Sequence, residues 1–165
     1  MATYGVYPGS FDPLTVAHLA IAEAAQRACG LERVDLVLSR DPLGKDAVSQ
    51  TTLEERLAAI EAAGRDGRPW LGAEVTDHRH LADIARGYDV LILGADKWAQ
   101  LRDVSFYESV EHMEAALASL PRLAVAPRGA HPVPDDCVRL DVDMHDVSST
   151  AVREGRTDWQ APFSR

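Results

Sequence analysis

Apolar side chains in this chain gather in two kinds of stretch. Short runs rich in aliphatic and β-branched residues, at 2–7, 33–39, 70–75, 88–94, 123–126 and 138–142, predict strands. Between them, apolar positions recur every three or four residues, which predicts helices over 17–29, 52–63, 81–86 and 105–118 and a short one opening at 147–153. Thr15 is placed to cap the first helix and Gly30 to stop it. Thr52 caps the second, with Glu55 three residues on completing a capping box, Leu53, Leu57 and Ile60 forming a buried stripe, and Gly64 ending it. The run at 88–94 is continuously apolar, as a strand covered on both faces would be.

Strand and helix alternate along the whole chain. That order predicts right-handed parallel crossovers and hence a doubly wound parallel sheet between two helical layers, a three-layer α/β fold of the Rossmann type. Its ligand crevice would lie at the carboxyl ends of the strands. His18, Lys45, Asp96, Arg128 and Arg153 all follow strand ends or open helices, so this topology would carry them to one edge.

The totals narrow the reading. At 165 residues, with 46% hydrophobic and 26% charged side chains, the chain is expected to form one soluble domain over 1–165. A net charge of -9 provides no basic stripe for a nucleic-acid backbone, so nucleic acid is excluded as a partner and a phosphate ligand must be neutralised locally. Cys29 and Cys137 lack metal spacing and read as reduced thiols. No leader or apolar run of membrane length stands out, which predicts a cytoplasmic protein without a membrane partner.

The chemistry concentrates at residues 7–18, where a strand passes into a helix. Gly9 would free the backbone, Pro13 would force a turn, and the Thr15 cap would leave first-turn amides pointing outward at the positive end of the helix dipole. Such a junction favours an anion, and His18, at the third helical position, could donate a ring N–H to a phosphate oxygen. A second anion site is expected at 148–153, where Ser148 can cap a helix and Arg153 lies one turn on with a forked cation. Asp12 is expected to brace the turn. His78, Arg79 and His80 read as a polar helix start that could also line an acceptor pocket. Asp141, Asp143, His145 and Asp146 alternate between two faces and read as solvated charge rather than a metal site, so no protein-held metal is expected.

Gly9-Ser10-Phe11-Asp12-Pro13-Leu14-Thr15-Val16-Ala17-His18 resembles the signature of the nucleotidyltransferase superfamily that includes nicotinate-mononucleotide, nicotinamide-mononucleotide and pantetheine-phosphate adenylyltransferases. Ala17 stands where that signature has glycine. Residues 147–153 resemble its second motif, Ile-Ser-Ser-Thr-x-x-Arg, with Val147 for isoleucine. Residues 52–56 resemble the pantetheine-phosphate enzymes, whereas Gly94-Ala95-Asp96 and Pro127-Arg128-Gly129 are more similar to the nicotinate-mononucleotide enzymes.

The resemblance implies transfer of an adenylyl group from ATP, with Mg²⁺ carried by the nucleotide, to a small phosphomonoester. Nicotinate or nicotinamide mononucleotide is the first acceptor it suggests. Phosphopantetheine, another phosphorylated metabolite, or nucleotide binding without turnover are the alternatives. It implies that His18, Lys45 and Arg153 are catalytic, and that Gly9, Ser10, Phe11, Thr15, His18, Ser148, Ser149, Thr150 and Arg153 hold the nucleotide. Asp96, Trp98 and Arg128 fall on the acceptor side, and homo-oligomers remain possible.

Overall fold

A computed structural model describes residues 2–40, 51–142, 151–152 and 155–162. Strands β1 (Tyr4–Pro8), β2 (Arg33–Ser39), β3 (Leu71–Thr76), β4 (Val90–Gly94), β5 (Arg122–Ala126) and β6 (Val138–Arg139) form one sheet in the order β3-β2-β1-β4-β5-β6. Every pairing in it is parallel. The chain winds outward from β1 to β3, then returns to the other side of β1 as β4, so the topological switch point lies between β1 and β4.

The pleat sorts alternate side chains into two cores. Tyr7, Leu36, Leu38, Val90, Ile92 and Ala124 face one side, where Leu19, Ala22 and Ala25 of α1 (Val16–Cys29) and Ile60 and Ala63 of α2 (Leu53–Arg65) cover them. Val6, Val37, Leu91, Leu93 and Val125 face the other, under α3 (Leu81–Ile84), α4 (Ala95–Leu101) and α5 (Val110–Ala118). Three layers result, as the alternation of elements predicts. Val90, Leu91, Ile92 and Leu93 are all buried, in keeping with the central place of β4.

Several boundaries differ from expectation. Gly64 does not end α2, which runs on to Arg65 with Asp66 as its C-cap. A side chain at Gly64 would come within 3.2 Å of the Leu71 carbonyl, so the glycine serves close packing of helix on strand. The helix expected over 105–118 is divided into a single 3-10 turn at Val104–Phe106 and α5, whose Ser109 hydroxyl caps the His112 amide. Helix α4 follows β4 directly, where no helix was expected. The last strand is two residues long rather than five. Of the helix expected at 147–153, residues 151–152 are helical and the rest lie outside the described residues. No helix among the described residues is long and apolar enough to cross a membrane.

Candidate active site

The segment after β1 is fixed by bonds at nearly every residue. The Gly9 amide donates to the Val37 carbonyl (3.1 Å), which ties the loop to the neighbouring strand. Phe11 takes a left-handed backbone conformation (φ 47°) while its ring is buried. A Cβ on Gly9 would lie 2.8 Å from the tip of that ring, so Gly9 is required by the close approach of Phe11 rather than by a positive φ of its own. Asp12, also buried, accepts from both the amide (2.9 Å) and the hydroxyl of Thr51 through one carboxylate oxygen. It braces the turn as expected, and Pro13 follows it in a cis peptide.

Thr15 caps α1, and His18 closes a reciprocal box with it. The Thr15 hydroxyl accepts from the His18 amide (3.3 Å), and His18 Nδ1 accepts from the Thr15 amide (2.9 Å). A backbone N–H can only donate, so Nδ1 is unprotonated and the ring proton of neutral His18 resides on Nε2. Of the first-turn amides expected to point outward, that of His18 is therefore used inside the cap, as is the amide of Thr15 itself. The donor the site offers from this helix is the histidine ring. Its plane is set further by Phe11, edge-on at 4.9 Å between centroids, and by Tyr7 at 6.2 Å. Ala17 is buried, so the methyl group that stands in place of glycine is covered by the protein.

Tyr7 gave no signal in the sequence beyond an apolar strand end. It packs edge-on against Phe11 at 5.3 Å, beside His18. Burial pushes its phenol well above the usual range, the Asp96 carboxylate adds to that rise, and the Arg128 guanidinium opposes it. Asp96 opens α4 after β4, and Arg128 follows β5. A Cβ on Gly94 would sit 2.6 Å from an Asp96 carboxylate oxygen, so this glycine lets the carboxylate fold back on the strand end. The His18 ring lies 6.2 Å from that of Tyr7, and the charges of Asp96 and Arg128 act on the Tyr7 phenol from the ends of β4 and β5.

Trp98 lies on α4, partly buried against the second core, with the Arg102 guanidinium 5.8 Å from its ring centre. His80 precedes α3 and stacks on Tyr107 at 5.3 Å, with His112 5.0 Å away. Burial lowers the His80 pKa, and His112 lowers it further. The backbone at 159–161 lies along the start of α1. Thr15 bridges Gln160 in antiparallel fashion and the Ala161 amide donates to the Leu14 carbonyl (3.0 Å). Lys45, Ser148, Ser149, Thr150 and Arg153 lie outside the described residues.

The parallel sheet, with a helix cap built by Thr15 and His18 just past the end of β1, is the frame of a doubly wound α/β domain. The sequence pattern of the cytidylyltransferase-like family matches residues 6–155, and the chain belongs to that family. A protein of Bordetella avium named as a probable nicotinate-nucleotide adenylyltransferase is 33% identical over 132 residues, a match covering 73% of this chain and 66%, just under two thirds, of that relative. A phosphopantetheine adenylyltransferase of Gloeobacter violaceus is 47% identical over 60 residues, covering 36% of this chain and 34% of its own. In structure the chain is similar to the nicotinic acid mononucleotide adenylyltransferase of Plasmodium falciparum solved with NaAD, with a TM-score of 0.68. That likeness covers 93% of this chain and 83% of the other at 14% identity, and it shows a shared fold.

Proposed function

We propose that the chain transfers the adenylyl group of ATP to nicotinate mononucleotide and releases pyrophosphate. The observation that carries this reading is the Thr15–His18 box at the switch point. It holds the imidazole beside the cradle loop with Nδ1 turned to the cap and the N–H of the neutral ring on Nε2. An oxygen of the acceptor phosphate attacks the α-phosphorus in line, the bond from that phosphorus to the oxygen bridging toward the β-phosphorus breaks, and pyrophosphate leaves with the electron pair. Little covalent work falls to the protein, which contributes alignment and donors aimed at developing charge.

In this reading His18 donates to the transferring phosphate, while Gly9, Ser10, Phe11 and Thr15 shape the nucleotide side. Lys45, Ser148, Ser149, Thr150 and Arg153 complete the phosphate site from outside the described residues. Asp96, Trp98 and Arg128 form the acceptor side, where Arg128 suits a phosphomonoester. Mg²⁺ bound to the triphosphate would offset its charge. One oxygen of the Asp12 carboxylate is engaged by the amide and hydroxyl of Thr51.

The name carried by the Bordetella relative, which matches most of this chain, supports nicotinate mononucleotide as acceptor. The test is product identification: ATP, Mg²⁺ and nicotinate mononucleotide should yield nicotinate adenine dinucleotide by mass spectrometry, and its absence at high enzyme concentration would reject the acceptor. A second reading, the same transfer to phosphopantetheine, draws on the 47% local identity to the Gloeobacter enzyme. Dephospho-coenzyme A would then be the product.

A further inference from the structure

Arg56 belongs to α2, yet its guanidinium reaches a residue 46 positions earlier. Nη1 donates to the Ser10 carbonyl at 2.9 Å, while Nε donates to the Thr52 carbonyl at the cap of its own helix (3.3 Å). One planar fork therefore spans the start of α2 and the cradle. Nothing in the adenylyl transfer described above uses it directly, and its consequence lies in the peptide it holds.

The Ser10 carbonyl and the Phe11 amide share one peptide unit, which is trans, since the cis bond of this segment falls at Asp12-Pro13. In a planar trans peptide the N–H points away from the C=O. A guanidinium fixed on the carbonyl edge consequently turns the Phe11 N–H to the opposite edge. That N–H makes no hydrogen bond among the described residues, whereas the Gly9 amide before it is taken by Val37. The Phe11 ring cannot swing to compensate. It is buried and held edge-on by both Tyr7 and His18, and its backbone is left-handed.

We propose that Arg56 is a positioning residue of the nucleotide site. By holding the Ser10 carbonyl it keeps the Phe11 N–H turned toward a phosphate oxygen of ATP, beside the His18 ring. This rests on the adenylyltransferase reading and adds to it a residue that touches neither substrate. Asp12 anchors the far end of the same loop to Thr51, just before the α2 cap, so residues 10 and 12 are both tied to the N-terminal end of α2.

The test compares Arg56→Ala, Arg56→Gln and Arg56→Lys with the wild type by calorimetric titration of MgATP and by steady-state kinetics, with melting temperature read in parallel. Loss of one charge-assisted hydrogen bond should raise KM and Kd for ATP roughly ten-fold, leave the acceptor KM unchanged and lower kcat less. Lysine lacks the fork and should restore little, whereas low concentrations of methylguanidinium should recover ATP affinity in Arg56→Ala. Should alanine fail to fold, the shorter, uncharged Gln variant, which keeps the stem but cannot reach Ser10 with a guanidinium, carries the same expectation. A folded variant with unchanged ATP affinity would overturn the proposal. So would parallel losses in both KM values and in melting temperature without rescue, because those report a merely structural arginine. Wild-type protein that binds no MgATP would instead remove the adenylyltransferase reading itself, and this proposal with it.

Discussion

Nδ1 of His18 accepts a hydrogen bond from the backbone amide of Thr15 at 2.9 Å, so one face of the imidazole is committed to capping and the other is set as a donor. Asparagine can reproduce the capping acceptor without supplying a donor at the Nε2 position. His18→Asn should therefore keep the melting temperature within a few degrees while turnover falls by about 10²- to 10³-fold, the usual loss for one transition-state donor. His18→Ala should show the same kinetic loss with a further destabilisation of about 1 kcal/mol, since part of the cap goes too. Pyrophosphate release and thermal melts of the two variants separate the roles.

Gly9 and Phe11 form a second constrained pair. Gly9→Ala would press a methyl group against a buried ring whose own backbone is left-handed. Neither partner has room to give, so destabilisation of about 1–3 kcal/mol is expected, as for other overpacked cores. The KM for ATP should rise with it, because the displaced ring lies against His18. Denaturant titration alongside ATP kinetics checks both expectations.

The Tyr7 phenol is held protonated by burial first and by Asp96 second. Its folded pKa stands above the value of about 10 it would have in the unfolded chain. The unfolded state then loses this proton earlier as pH rises, so the stabilisation is complete below about pH 10 and is lost progressively above it. Stability measured from pH 8 to 11 should fall on the alkaline side, and Tyr7→Phe should flatten part of that fall. Identical slopes in both proteins would disprove the assignment.

Arg128 follows β5, its charge acts on the same phenol as that of Asp96, and it is proposed to bind the acceptor phosphate. Arg128→Gln is expected to raise the KM for the phosphomonoester acceptor by about ten-fold or more, the scale of a lost charge-assisted contact, with little change for ATP. Initial-rate kinetics with each substrate varied in turn distinguish this from a shift of the nucleotide site.

Most of the sheet was legible because its strands are short apolar runs bounded by punctuating residues. Strand β2 and the β1–α1 junction follow local chemistry alone, and Thr15, three residues before His18, announced the cap. Helix α4 was not legible, since seven residues after Gly94 are too few to show a period. The break at Ser109 was readable as a cap ahead of α5 and was hidden by the helical periodicity on both sides of it. What the sequence could not show are contacts that close over long separations. The Arg56–Ser10 and Asp12–Thr51 bonds and the Tyr7–Phe11–His18 ring cluster depend on how the crossovers place α1 and α2 on the sheet. The use of the Thr15 and His18 amides inside the cap likewise required knowing which imidazole nitrogen turns inward.

Coupled pyrophosphate release from MgATP, measured against nicotinate mononucleotide, nicotinamide mononucleotide and phosphopantetheine in parallel, is the most direct test of the central claim. Acceptor-dependent release is expected to be strongest with nicotinate mononucleotide and to fall by about 10²- to 10³-fold in His18→Asn. Release that is equal with and without every acceptor, or absent throughout from a folded protein, would contradict it.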